Sequence, residues 1–345
     1  MKLDLEKGRV DLTHGSGGRA MHDLISNLFA KDFDNPLLAE GNDQAICKIP
    51  ESYGSNPRLS VSTDSFVISP LFFPGGNIGN LAVHGTVNDV ALAGAKPLWL
   101  TAGFILEEGF PFVDLTKIVA SMAQAAQEAD VQIVTGDTKV VPKGKADGLF
   151  INTTGVGVVL VDPLPSVRQI EVGDAIIING PIGDHAVAIM AARENLKFDE
   201  ELLSDCASLN GLIEAMVQSG TVIHAMRDPT RGGLSATLNE MATSAKVGIH
   251  LDEAAIPVRP AVKGVCEILG LDPLNLANEG KLIAFCPQDQ AEPLLQAMRA
   301  HPLGCEAVVI GHTTDNPHCF VEMKTKLGGV RMVDWLTGDQ LPRIC

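Results

Sequence analysis

Residues 62–91 read STDSFVISPLFFPGGNIGNLAVHGTVNDVA. The runs 59–63 and 66–69 are short, apolar and strand-like. Beyond Pro74-Gly75-Gly76 the period changes, and residues 78–93 predict a helix with Leu81, Val87 and Ala91 on one face. Asp64 stands in Ser62-Thr63-Asp64-Ser65, and Asp89 in Thr86-Val87-Asn88-Asp89. The stretch is therefore a strand-to-helix unit with a carboxylate at the edge of each apolar element.

The same grammar extends to both sides. Upstream, His14-Gly15-Ser16-Gly17-Gly18 leads into a helical pattern at Met21, Leu24, Ile25 and Leu28, and 44–49 reads as a strand. Downstream come a strand at 98–106, a helix at 115–129, a strand at 131–134 and a long β-branched run at 149–161, bent at Gly155 and Gly157. Pro163 and Pro165 then interrupt the pattern. A second unit opens with a strand at 175–179 and turns through Gly180-Pro181-Ile182-Gly183 into a helix at 186–192. Helices at 209–219 and 234–243 follow, with strands at 248–251, 281–285, 307–311 and 319–323. The reading is α+β, with domains at 1–162 and 163–330 and a mobile tail at 331–345 that ends in Cys345.

Composition narrows the function. The 345 residues are 46% hydrophobic but only 4% aromatic, so cores must be built from Ala, Val, Ile and Leu. A formal charge of −16 repels nucleic acid and anionic membrane surfaces. No apolar run reaches the roughly 18 residues of a membrane span. The N-terminus carries no apolar signal segment. Seven cysteines without CxxC spacing fit reduced thiols, and the expected location is cytoplasmic.

Four aspartates share one setting: Asp43, Asp64, Asp89 and Asp137, each beside Gly, Asn, Thr or Ser. Taken singly, such residues cap helices or form turns. Together they offer hard oxygen ligands of the kind Mg²⁺ uses alongside substrate phosphates. The His14–Gly18 loop could cradle a phosphate at a helix N-terminus, or be a plain flexible turn. No GxxxxGK[ST] occurs. In Asp228-Pro229-Thr230-Arg231-Gly232-Gly233, Asp228 or Thr230 could cap the next helix, and Arg231 could meet a phosphate. Lys139 and Glu279 are candidates for proton transfer, or solvated surface charges. A terminal cysteine is either an accident of the chain end or an atom that can be carried into a cleft. It is not a CaaX signal.

Taken in order, HGSGG, the 62–91 block, VTGDTKVV, INGPIGDHAVAI, MRDPTRGGL, ANEGKL and a terminal PRIC resemble the hydrogenase-maturation carbamoyl dehydratases. These belong to the superfamily of aminoimidazole-ribonucleotide synthetase and selenophosphate synthetase. The resemblance spans essentially the whole chain and implies a two-domain, PurM-like α+β architecture with a flexible C-terminal tail. It implies that Cys345 accepts a carbamoyl group from the transferase HypF. ATP then dehydrates the S-carboxamide to a thiocyanate, and the cyanide passes to the NiFe hydrogenase iron fragment that HypC and HypD assemble. It implies Mg²⁺ at Asp43, Asp64, Asp89 and Asp137, with ATP at His14, Gly15, Ser16, Gly17, Gly18, Asp64, Asn88, Asp137, Thr138 and Arg231. Lys139 and Glu279 would move protons beside the Cys345 adduct, in a homodimer. One departure stands out: relatives often carry two adjacent acids where this chain has Asn42-Asp43, which leaves the metal count open. The competing readings are a selenophosphate synthetase, a thiamine-phosphate kinase or a non-enzymatic group carrier. The first would want a Cys in the glycine loop, where Ser16 stands.

Overall fold

The protein is described from a computed structural model, which describes residues 4–15, 19–39, 45, 47–54, 56–194 and 202–335. A four-stranded sheet forms the first unit, from β1 (Leu59–Phe66), β2 (Ala95–Glu107), β3 (Gln132–Val141) and β4 (Leu149–Val159). Its order is β1-β4-β2-β3, with only β2 and β3 parallel. Helices α1 (Ile78–Ala91) and α2 (Phe112–Glu128) pack together, and α1 lies on β1 and β4.

Helix α1 starts where a capping box forms. The Asn77 side chain accepts from Gly79 N–H at 2.7 Å, and Asn80 Oδ1 accepts from Asn77 N–H at 2.8 Å. The helix sits close on the sheet because Gly155 has no side chain. A Cβ there would lie 2.8 Å from Val90 and 2.9 Å from Thr86. Thr86 and Thr153 hydroxyls bond across this contact at 2.6 Å, and Thr153 also donates to Ala82 C=O at 2.9 Å. The polar pair is thereby satisfied inside the core.

The second unit is a seven-stranded sheet: β5 (Ala175–Ile178), β6 (Ala225–Arg227), β7 (Gly248–Asp252), β8 (Ile283–Cys286), β9 (Val308–Thr314), β10 (Val321–Lys324) and β11 (Val330–Met332), in the order β11-β10-β7-β9-β5-β8-β6. Both faces of β5 are buried. Ile176 and Ile178 join a core with α5 (Gly233–Ala245), on the same face as Ile249, Leu251 and Phe285. Ala175 and Ile177 join the other core, with Leu212 and Met216 of α4 (Asn210–Gln218) and Leu294 and Met298 of α7 (Ala291–Arg299). Helices α3 (Asp184–Glu194) and α6 (Pro260–Leu269) share a smaller cluster.

Several expectations need correction. The strand expected at 59–63 runs on to Phe66, and residues 67–69, expected as a second strand, are not strand. The strand at 131–134 continues to Val141, so Asp137, Thr138 and Lys139 lie within a strand rather than at its end. Residues 45 and 47–49 are not a strand; the rest of 44–49 lies outside the described residues. Neither Asp228 nor Thr230 caps α5. Its N-cap is Gly232, left-handed at φ 74°, with no side-chain cap. Helices α6 and α7 and strands β6 and β11 were not read from the sequence.

Candidate active site

A cleft of about 1250 Å³ opens between the two units. On one side all seven residues from Val61 to Val67 line it, as suits an edge strand. Asp89 of α1 stands beside them. On the other side are Arg227, Asp228, Thr230 and Arg231 between β6 and α5, with Glu240 of α5. Glu279 reaches it from the turn before β8, and Trp335 closes the rim.

Five carboxylates, Asp64, Asp89, Asp228, Glu240 and Glu279, therefore share one space with two guanidiniums. Asp89 sits in the last turn of α1, where the helix dipole disfavours an anion and no basic side chain of that turn offsets it. Ser62 Oγ donates to its Oδ2 at 2.8 Å. Burial is the chief cause that raises the Asp89 pKa, with Asp64 adding to it; the Ser62 bond, Arg227 and Arg231 pull the other way. Asp228 is pushed up to about 7, first by burial and then by Asp89. Glu279 is raised well above the carboxylate range by burial, then by Asp228, Asp205, Asp64 and Asp89. Acids that raise one another in this way would be relieved by a divalent cation. The donors are hard oxygens, the set Mg²⁺ takes. Among the described residues no three His, Cys, Asp or Glu side chains close into a finished cage.

Asp64, Asp89, Arg231 and Glu279 are thus brought together. Other candidates are not. In the register Asp64–Thr153–Ala102–Gly136, the facing row belongs to α1 and the core. Asp137 lies one residue on, in the row with Ser65, Asn152 and Gly103, so its side chain is on the opposite face. Lys139 shares that face and pairs with Asp137 at 3.3 Å, both exposed. His14 and Gly15 belong to the short helix Leu12–Gly15, which packs on β3. The His14 ring is buried edge-on against Phe112, and a Cβ at Gly15 would lie 2.5 Å from Val140 N. Two candidates point away from the cleft. Thr138 is buried in the row of Phe66, Ile151 and Phe104. The Asn88 amide is 2% exposed, donating to Ala207 C=O at 3.0 Å and accepting from Leu209 N–H at 2.7 Å. Ser16, Gly17, Gly18, Asp43 and Cys345 lie outside the described residues.

Sequence reasoning missed Asp228 as a cleft carboxylate, because an Asp-Pro before a helix has the local signature of a cap. It also missed Trp335. The Asp334 carbonyl accepts from Ser235 Oγ at 2.7 Å, and the Val333 carbonyl from Asn239 Nδ2 at 3.0 Å, so α5 fixes the root of the tail at the cleft.

Residues 41–159 match the model of the AIR synthase related protein N-terminal domain, and residues 171–324 that of its C-terminal domain. The chain is 59% identical to the carbamoyl dehydratase HypE of Bradyrhizobium diazoefficiens over 345 residues, covering 100% of this chain and 98% of that one. A crystal structure of hydrogenase maturation protein HypE in complex with ATP superposes with a TM-score of 0.92 at 50% identity, over 97% of this chain and 99% of the other. The chain in a HypE–HypF complex superposes with a TM-score of 0.79 at 48% identity, over 91% and 99%.

Proposed function

This chain belongs to the HypE family of AIR synthase related proteins, and we propose on that footing that it is an ATP-dependent carbamoyl dehydratase acting on its own Cys345. HypF would load the thiol with a carbamoyl group, and HypC and HypD would receive the cyanide. The observation that carries the reading is the convergence of Asp64, Asp89, Asp228, Glu279 and Arg231 on the one cleft to whose wall the tail root is tied.

The chemistry sets what the cleft must do. The amide oxygen of the S-carboxamide is a poor leaving group, so it takes the γ-phosphoryl group of ATP and ADP departs. The nitrogen gives up two protons while the C–O bond breaks and phosphate leaves, producing the thiocyanate. Mg²⁺, when bound, would neutralise phosphate charge. Asp64 and Asp89, with Asp43, would hold it, and Arg231 would meet a phosphate oxygen. Glu279, whose pKa burial raises well above the carboxylate range, lines the cleft and is the group we assign to moving those protons. Ten residues separate Trp335 from Cys345, a reach of up to about 35 Å. Tethering makes the reaction unimolecular.

Asp137 and Lys139 lie toward the other edge of the sheet, with His14 and Gly15 packed beside them. We read them as serving the cleft of a second copy. The face they share carries exposed Leu59 (49%), Val61 (64%) and Ile105 (43%), which supports a homodimer through this sheet. The test is calorimetry with ATP. Binding is expected with Mg²⁺ and at least about tenfold weaker when EDTA removes it. No binding in either buffer would favour a group carrier instead.

A further inference from the structure

The turn that carries Glu279 is held from behind by a strap, Ser204–Leu209, which touches both units. Ser204 N–H donates to Pro74 C=O at 2.8 Å, and its hydroxyl meets His185 Nδ1 at 2.8 Å. Ser208 Oγ meets His84 Nδ1 at 2.6 Å. Asn88, next to Asp89, clamps Ala207 and Leu209. Both histidines are held neutral, their pKa values lowered to about 4 chiefly by burial. The strap is thus fixed by neutral hydrogen bonds to the helix that bears Asp89.

From this strap Asp205 points into the turn. Its side chain is 4% exposed. One oxygen accepts from the Glu279 backbone N–H at 3.1 Å, and the other from the Lys281 ammonium at 2.9 Å. Gly280 lies so close that a Cβ would sit 1.8 Å from the Asp205 carbonyl oxygen. The other end of the turn is tied by Asn278, which accepts from Gly183 N–H at 2.7 Å and donates to Pro229 C=O at 2.9 Å. Every neighbour of Glu279 is bonded into the protein, while Glu279 itself lines the cleft.

We propose that Asp205 is a positioning residue, whose paired oxygens hold the Glu279–Lys281 turn so that the Glu279 carboxyl reaches the reacting tail. The inference rests on the role given to Glu279 above. It is a claim about geometry: a displacement of about 1 Å at such a group can cost on the order of a hundredfold in rate without loosening a substrate held elsewhere. Asp205 spends its carboxylate on Glu279 N–H and Lys281 rather than on Asp64, Asp89 or Arg231, the residues assigned to metal and nucleotide.

The test uses the full chain, loaded at Cys345 by the carbamoyltransferase, and follows thiocyanate formation against ATP concentration. Asp205→Ala is expected to lower kcat by about 10- to 100-fold with the KM for ATP unchanged within about twofold. The double variant Asp205→Asn with Lys281→Gln replaces the ion pair by an amide–amide hydrogen bond and keeps an acceptor for Glu279 N–H. It is expected to regain the parent rate within several-fold. Parent-like kcat in Asp205→Ala overturns the proposal. So do a double variant as slow as the single one, and an ATP KM that weakens in step with kcat or an ATP site that is lost. Glu279→Gln separates the two claims. If it keeps full activity the role of Glu279 fails; if it is inactive while Asp205→Ala is not, only the positioning role fails.

Discussion

At the scale of single residues, the cleft concentrates charge that a folded chain ordinarily avoids. Asp228 is the clearest case, since burial and Asp89 raise its pKa to about 7. A carboxyl with a raised folded-state pKa contributes stability below its unfolded value near 4, and that contribution is lost as pH climbs through 7. In metal-free buffer the parent should therefore lose stability between pH 5 and pH 8 relative to Asp228→Asn, which has no such titration. Melting curves at the two pH values should show the variant's advantage growing by about 2–4 °C, from a linkage of about 1–2 kcal/mol after screening by partial exposure. A difference that stays constant with pH would contradict the assignment. Asp64, Asp89, Arg231 and Glu279 were legible as candidates because acids and arginines beside Gly, Thr or Asn at the edges of apolar elements are costly unless used. Asp228 was legible only as a cap. Asn88 and Asp205 do their bonding through contacts roughly 120 and 75 residues away in sequence, which no local spacing encodes.

At the scale of elements, long apolar segments bounded by turn residues are the most legible part of the fold. Helix α1 ends two residues before the expected Ala93; it is buried on nearly every side, so its length and the Pro74-Gly75-Gly76 break before it mark it better than a single apolar face. Strand β3 was cut short at Val134, because Gly136, Asp137 and Lys139 look like a turn. Asp137 and Lys139 are exposed residues on one face of an edge strand, where alternation leaves that face polar. Helix α6 escaped notice although its apolar positions recur, and β6 has only three residues, too few for a period to show. The four-stranded sheet also divides the candidates: Asp64 on β1 at one edge, Asp137 and Lys139 on β3 at the other. If a second copy completes each cleft, Lys139→Ala and Glu279→Gln are each inactive alone but complement when mixed. Random reassortment makes half the dimers mixed, and one of two sites in each is intact, so about a quarter of the parent activity should return. No recovery after verified subunit exchange would contradict the reading that a second copy supplies Lys139 to the cleft of Glu279.

At the scale of the whole molecule, the two units are arranged around one reaction space. The first supplies a sheet edge and the helix that ends at Asp89. The second supplies Asp228, Arg231 and Glu279, and the strap at Ser204–Leu209 bonds the two together. The terminal cysteine is the substrate-bearing atom in this account, and the chain leading to it leaves from Trp335 at the cleft rim. On the proposed function, a chain of formal charge −16 would meet nucleotide through Mg²⁺ rather than through a basic surface. The most direct measurement is the mass of the C-terminal peptide after carbamoyl transfer, taken before and after Mg-ATP is added. The account predicts that this peptide alone, carrying Cys345, becomes lighter by one water while ATP is converted to ADP and phosphate. A peptide that keeps its carbamoyl mass while ATP is consumed, or a mass change that appears elsewhere and survives Cys345→Ala, would contradict it.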